Sequence, residues 1–216
     1  MSDLAKNLAG KFIVIDGPDG AGKTTQQKLL AQWLRDAGMR VVETQDPGGT
    51  AIGDNIRRIL LDGKHSEMAV ATELMLYMAS RAQLAEEVIR PALARGDCVL
   101  CDRWVSATIA YQGAGGADAG QIQTVAAVAV GELAKPDLTL LLDLPAETGL
   151  QRKGKDAAPD RMEAKDIEFH RRVRELFLAQ AEQYPQRFAV IDASANSEEV
   201  RQRLISAVEH GRPGHA

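Results

Sequence analysis

The sequence predicts an α/β fold, a five-stranded parallel sheet covered by helices on both faces. Three observations predict it. Four short runs, at 12–16, 97–102, 138–144 and 188–191, are mostly apolar, as strands buried on both sides must be, and 41–44 reads as a further strand. Longer segments with apolar residues at helical spacing lie between them, so strands and helices alternate. The first run ends in a glycine-rich turn that opens directly onto a helix.

In chain order, residues 12–16 form the first apolar run. A helix is expected over 24–36, with Leu29, Leu30, Trp33 and Leu34 on one side and Gly38 at its stop. Residues 41–44 read as the second strand, and Asp46-Pro47-Gly48-Gly49 breaks the chain. A helix over 52–61 carries Ile56, Ile59 and Leu60 on one side. A polar stretch, 62–67, leads to a long helix over 69–94, bent or ended early by Pro91. Residues 97–102 read as the third strand and 113–120 as a loop. A helix over 121–133 and a strand over 138–144 follow. The stretch 151–164 is basic, broken by Gly and Pro, and expected to be mobile. A helix over 166–183, a strand over 188–191 and a last helix capped by Ser197 complete the pattern, with Glu198 and Glu199 in its first turn. The tail 211–216 reads as disordered. With no internal repeat and no interdomain linker, residues 1–216 are expected to form a single domain.

Composition narrows the function. Apolar residues make up 45% of the chain and charged residues 26%, as in ordinary globular proteins. The net charge of -4 argues against a protein that coats nucleic acid, which shows a basic excess. No apolar run reaches the roughly 20 residues that cross a bilayer, and residues 1–10 contain no secretory apolar core. The expected compartment is the cytoplasm, with no membrane partner. Cys98 and Cys101 have C-x-x-C spacing, but residues three apart on a strand point to opposite faces. No second cysteine pair or spaced histidines complete a metal site.

The sharpest motif is Gly17-Pro18-Asp19-Gly20-Ala21-Gly22-Lys23-Thr24, a full G-x-x-x-x-G-K-[ST] between a strand and a helix, with Thr25 following. Its glycines let backbone N–H groups converge on phosphate oxygens, and the helix aims its positive end there. Lys23 can bridge the β- and γ-phosphates of ATP, and the Thr24 hydroxyl suits Mg²⁺, a hard cation. The fold is therefore expected to be of the P-loop NTPase kind. No N-K-x-D appears for guanine, and no apolar strand ends in Asp-Glu, so the glutamate that activates water in motor ATPases is missing. That favours phosphoryl transfer over hydrolysis. Asp102-Arg103 closes the third strand, at the strand ends where parallel sheets collect ligands. Asp102 is positioned for Mg²⁺, and Arg103 offers a planar fork to an acceptor phosphate.

The chain resembles thymidylate kinases of the bacterial type over most of its length. The resemblance rests on residues 16–25, on Thr44-Gln45-Asp46-Pro47-Gly48-Gly49-Thr50 and on Glu73 to Arg81. Asp102-Arg103-Trp104, Ala110-Tyr111-Gln112-Gly113, Pro136 to Thr139 and Asp160-Arg161-Met162-Glu163 complete it in the expected order. It implies ATP-dependent phosphorylation of thymidine 5′-monophosphate (dTMP), with Mg²⁺. It also implies roles: Tyr77 stacks on thymine, Arg81 donates to a thymine carbonyl, and Thr108 and Gln112 bond the base edge. Tyr111 crowds the sugar 2′ position, Arg57 and Arg103 hold the 5′-phosphate, and Asp19 sits near the 3′-hydroxyl and the Mg²⁺ shell. The basic segment at about 151–164 resembles a mobile lid whose cations, among Arg152, Lys153, Lys155 and Arg161, stabilise the transferring phosphoryl group. Outside the lid three positions depart from the family, Tyr77 for Phe, Gln45 for Arg and Trp104 for Tyr, and within it Gly154 and Asp156 partly replace the arginines. A homodimer packed through helices is implied too, with the long helix as a candidate face. The expected catalytic set is Lys23, Arg103, Asp19, Arg152 and Arg161. The alternatives are a kinase for another nucleoside monophosphate or a deoxynucleoside, and a module that senses ATP without transferring phosphate.

Overall fold

A computed structural model describes residues 7–153 and 160–210. Five parallel strands form one sheet: β1 Phe12–Asp16, β2 Val41–Gln45, β3 Cys98–Asp102, β4 Leu138–Asp143 and β5 Phe188–Asp192, in the order β2-β3-β1-β4-β5. The register sets Ile15 beside Asp102 and Gln45 beside Asp102, so the carboxyl ends of β1, β2 and β3 finish together.

Alternation of side chains along each strand feeds two cores. Ile13, Ile15, Leu100, Leu140 and Leu142 pack on one face against α1 (Lys23–Asp36) and α9 (Ser197–His210). Phe12, Val14 and Val99 pack on the other, beneath α3 (Val70–Leu84) and α6 (Ala119–Val130). The second face continues under α5 (Val105–Ala114) and α8 (Ile167–Gln183). The α/β fold with helices on both faces is thus as expected. Cys98 belongs to the first core and Cys101 to the second, both free. Burial pushes the Cys98 thiol up to about 12, and Cys101 well above its usual range.

Several elements differ from the expectation. The segment over 69–94 is not one α-helix. It is α3, a π turn at Ala85–Ile89, and a short α4 at Arg90–Ala94. The wide turn lies immediately before Pro91, which has no N–H to give to an α ladder. Helix α2, Ala51–Leu61, starts at a cap where Thr50 accepts from the Gly53 N–H at 3.0 Å. Helix α5 had no counterpart in the sequence reading. Part of the stretch read as mobile is α7, Ala146–Lys153, while residues 154–159 and the tail 211–216 lie outside the described residues. The cap of α9 is Asn196 rather than Ser197, its side chain accepting from the Glu198 and Glu199 N–H groups at 3.1 and 3.0 Å. Ser197 instead accepts from Gln26. No described helix is long and apolar enough to cross a membrane.

Candidate active site

The phosphate loop runs from the end of β1 into α1. Gly17, Gly20 and Gly22 all adopt positive φ, and a Cβ at Gly17 would lie 2.3 Å from the Leu142 carbonyl oxygen. Only glycine fits that approach to β4. Just before the loop, buried Asp16 accepts from the Gly17 N–H at 2.9 Å and from the Ser106 hydroxyl at 2.7 Å. Burial raises the pKa of Asp16, and Arg103 opposes that rise. Neither Asp16 nor Ser106 was anticipated from sequence. The signal for Asp16 was its position, an acid ending an otherwise apolar strand.

Lys23 donates to the Pro18 carbonyl at 2.8 Å, held back over its own loop. Its pKa is lowered to about 8, mainly by burial and then by the charge of Arg103, against the pull of Asp19, Asp102 and Asp16. The Thr24 hydroxyl donates to the Asp102 carboxylate at 2.8 Å, joining two hard oxygen ligands at one point. Among the described residues no cluster of three or more His, Cys, Asp or Glu forms a self-sufficient metal cage. Two oxygens suit Mg²⁺, which keeps several waters and takes the rest of its shell from phosphates.

Arg103 links the loop to the far side of the cleft. Its backbone has φ 70°, a strained setting for a residue with a side chain. A backbone bond to the Ile15 carbonyl at 3.0 Å holds it there. The guanidinium donates to the Gly17 carbonyl at 3.0 Å, to Asp19 at 2.7 Å and to the Tyr111 hydroxyl at 3.0 Å, and lies 4.8 Å over the Tyr111 ring.

On the acceptor side, Arg81 is 1% exposed. Its Nε donates to Asp46 at 2.9 Å, and Nη2 reaches the Asp46 carboxylate, the Trp104 carbonyl and the Thr108 hydroxyl. Burial raises the pKa of Asp46, and Arg81 works against it. Trp104 lies beneath, its ring 5.2 Å from the Arg81 guanidinium, edge-on to Phe12, and donating its N–H to the Leu133 carbonyl at 2.6 Å. Gln112 donates to Glu73 at 2.5 Å. Arg57 donates to the Pro47 carbonyl at 2.8 Å.

These groups open onto one cleft of about 390 Å³. It brings together Asp19, Gly20, Gly22, Lys23, Thr24 and Thr25 from the loop side with Asp102 and Arg103. From the other side come Arg57, Tyr77, Arg81, Thr108, Tyr111 and Gln112, with Gln45 at the end of β2. Gly17, Pro18 and Ala21 form the back of the loop and do not line it. Arg152 lines the cleft, but its guanidinium donates to the Ala193 and Ser194 carbonyls at 2.8 and 3.0 Å. Arg161 does not line it. It is buried, ion-paired to Glu73, and donates to the Leu60 carbonyl at 2.9 Å. Lys153 is the last residue of α7, its side chain outside the description, and Lys155 lies outside the described residues altogether.

The thymidylate kinase family model matches residues 15–204. The chain is 47% identical over 203 residues to a thymidylate kinase of Alcanivorax borkumensis, covering 94% of this chain and 97% of that one. It is 48% identical over 200 residues to a thymidylate kinase of Deinococcus radiodurans, covering 92% and 96%. A crystal structure of thymidylate kinase from Ehrlichia chaffeensis superposes with a TM-score of 0.77 at 30% identity, over 93% of this chain and 99% of that one.

Proposed function

The chain belongs to the thymidylate kinase family, and we propose that its cleft binds ATP on the phosphate loop and dTMP across the strand ends. The reaction is transfer of the γ-phosphoryl group of ATP to thymidine 5′-monophosphate, giving thymidine diphosphate and ADP for dTTP synthesis. The observation that carries the site reading is Arg103. It touches Gly17 and Asp19 of the donor loop and Tyr111 of the acceptor wall at once, so the two halves of the cleft form a single unit.

An oxygen of the acceptor phosphate forms the new P–O bond as the bond to the β-phosphate oxygen breaks. That oxygen is anionic near neutral pH, so no strong base is needed, and catalysis is positioning plus charge stabilisation. Arg57 and Arg103 hold the acceptor phosphate. Tyr77 stacks on the base, Arg81 donates to a base carbonyl, and Thr108 and Gln112 bond its edge. Tyr111 crowds the sugar 2′ position, and Asp19 faces the 3′-hydroxyl. Lys23 turns from the Pro18 carbonyl to the β- and γ-phosphates. Thr24 and Asp102 would hold Mg²⁺, which supplies positive charge to the phosphate oxygens when bound. Of the two lid arginines, Arg152 opens to the cleft and, among the described residues, its guanidinium bonds to neutral carbonyls, so the transferring phosphoryl falls to it. Arg161 is committed to Glu73.

The proposal keeps residues 1–216 as one kinase domain with its lid at about 151–164. A homodimer and a cytoplasmic location belong to it too, the second in line with two cysteines that form no disulfide. The test is ADP release from ATP·Mg²⁺ against a panel of nucleoside monophosphates and deoxynucleosides. Strong preference for dTMP is expected. Preference for another acceptor sinks the base-pocket roles, and nucleotide binding without transfer to any acceptor sinks the kinase reading.

A further inference from the structure

Two segments of the sequence meet at a carboxylate to which the reaction assigns no task. Glu73 lies on the inner side of α3, 7% exposed. One of its oxygens accepts from Gln112 Nε2 at 2.5 Å, and the other is ion-paired to Arg161. Arg161 in turn is tied to the end of α2, its Nε donating to the Leu60 carbonyl at 2.9 Å and its backbone N–H to the Leu61 carbonyl at 3.3 Å. Gln112, at 2% exposure, lines the cleft.

We propose that Glu73 is a positioning residue that determines base selectivity by fixing which end of the Gln112 amide faces the acceptor. A carboxylate only accepts hydrogen bonds, so it must take the NH₂ end. The carbonyl oxygen of Gln112 is then left to face the cleft as an acceptor. Thymine carries a proton on N3 and satisfies that oxygen. Cytosine has a lone pair at N3 and opposes it. Arg161 keeps Glu73 from turning away, because it occupies the second oxygen and is itself anchored to α2. The selective element is therefore a chain from α2 through Arg161 and Glu73 to Gln112. This rests on the reading that Gln112 bonds the base edge.

Glu73→Gln tests it, because an amide at position 73 can donate or accept and frees Gln112 to turn. The readout is the ratio of kcat/KM for dTMP to that for deoxycytidine monophosphate, measured on the same preparation so that loss of folded protein cancels. The ratio is expected to fall about tenfold or more, since a group built to pair with N3–H is no longer held, while KM for ATP stays unchanged. Glu73→Asp keeps the charge against Arg161 but withdraws its oxygen from Gln112, and it is expected to lower the ratio in the same direction. A double-mutant cycle with Gln112→Leu separates the outcomes. If Glu73 acts through Gln112, adding the Glu73 change to Gln112→Leu has no further effect on the ratio. An unchanged ratio in either folded Glu73 variant, or additive effects in the cycle, overturns the proposal. An unchanged ratio in Gln112→Leu alone overturns the base-edge reading on which it stands.

Discussion

Lys23 carries its charge in a place that resists it. Its ammonium is buried against the Pro18 carbonyl and shares the cleft with Arg103, and its pKa falls to about 8. A phosphate ligand favours the protonated form and raises that pKa in the complex. The sign follows. Below about pH 8 the free protein already holds the proton and affinity is at its plateau. Above it, binding must take up a proton, so affinity falls by up to tenfold per pH unit until the pKa of the complex is reached. Calorimetry of ATP binding at pH 8.5–9 in buffers of different ionisation enthalpy should therefore show uptake approaching one proton per site. Lys23→Arg, which does not titrate in this range, should abolish the uptake. Uptake that persists in the variant sinks this assignment. Lys23, like Thr24 and Arg103, was visible in the sequence because its spacing or its place at a strand end has a chemical meaning. Glu73, Asp46 and Ser106 were not. A carboxylate on a helix or in a turn reads as solvated surface, and only the fold reveals the arginine it is buried against.

At the scale of the element, β1, β3 and β4 were legible because burial on both faces leaves little room for polar residues. Helix α5 escaped because it too is buried nearly all round: Val105, Ser106, Ala107, Thr108, Ala110, Tyr111 and Gln112 show no polar face to set the period. Helix α7 escaped because its short, charged sequence contains Gly149, a poor helix residue. The contact at that glycine explains the choice. A Cβ on Gly149 would lie 2.1 Å from the Asp19 carbonyl oxygen, and one on Gly20 would lie 2.0 Å from the Gly149 oxygen. The backbone of α7 thus rests directly on the phosphate loop, beside the residue whose carboxylate pairs with Arg103 at 2.7 Å. Gly149→Ala should improve local helix propensity by about 1 kcal/mol, yet it must push Asp19 and Gly20 away from α7. The expected outcome is a loss of kcat of about tenfold or more, with the overpacking lowering stability by about 1–3 kcal/mol. Steady-state kinetics beside a thermal melt checks it. A folded Gly149→Ala enzyme with wild-type kcat would show that α7 does not set the loop.

For the whole molecule, the exposed large apolar side chains are unevenly spread. Ile52 and Ile59 lie on α2, Val70 and Met75 on α3, and Val128, 85% exposed, on α6, with α3 packed against each of the other two helices. A second copy seated on this face would cover them, and two-fold symmetry would place each twice in the contact. Burying a Val or Met side chain contributes about 1.5–3 kcal/mol, so one charge introduced here is felt by both copies. Light scattering of the purified protein should give the mass of two chains, and Val128→Lys or Met75→Lys should shift it towards one. In such a dimer the same helix would tie assembly to the acceptor site. α3 presents Met75 outward, while Glu73, Tyr77 and Arg81, four residues apart in turn, line or support the acceptor half of the cleft. The phosphate loop leads into α1, which packs on the opposite face of the sheet from α3 and α6. Separating the chains should loosen α3 and raise KM for dTMP several-fold, while KM for ATP holds. A wild-type mass of one chain sinks the assembly. A monomeric variant with both KM values unchanged leaves the dimer standing but cuts its link to the acceptor pocket.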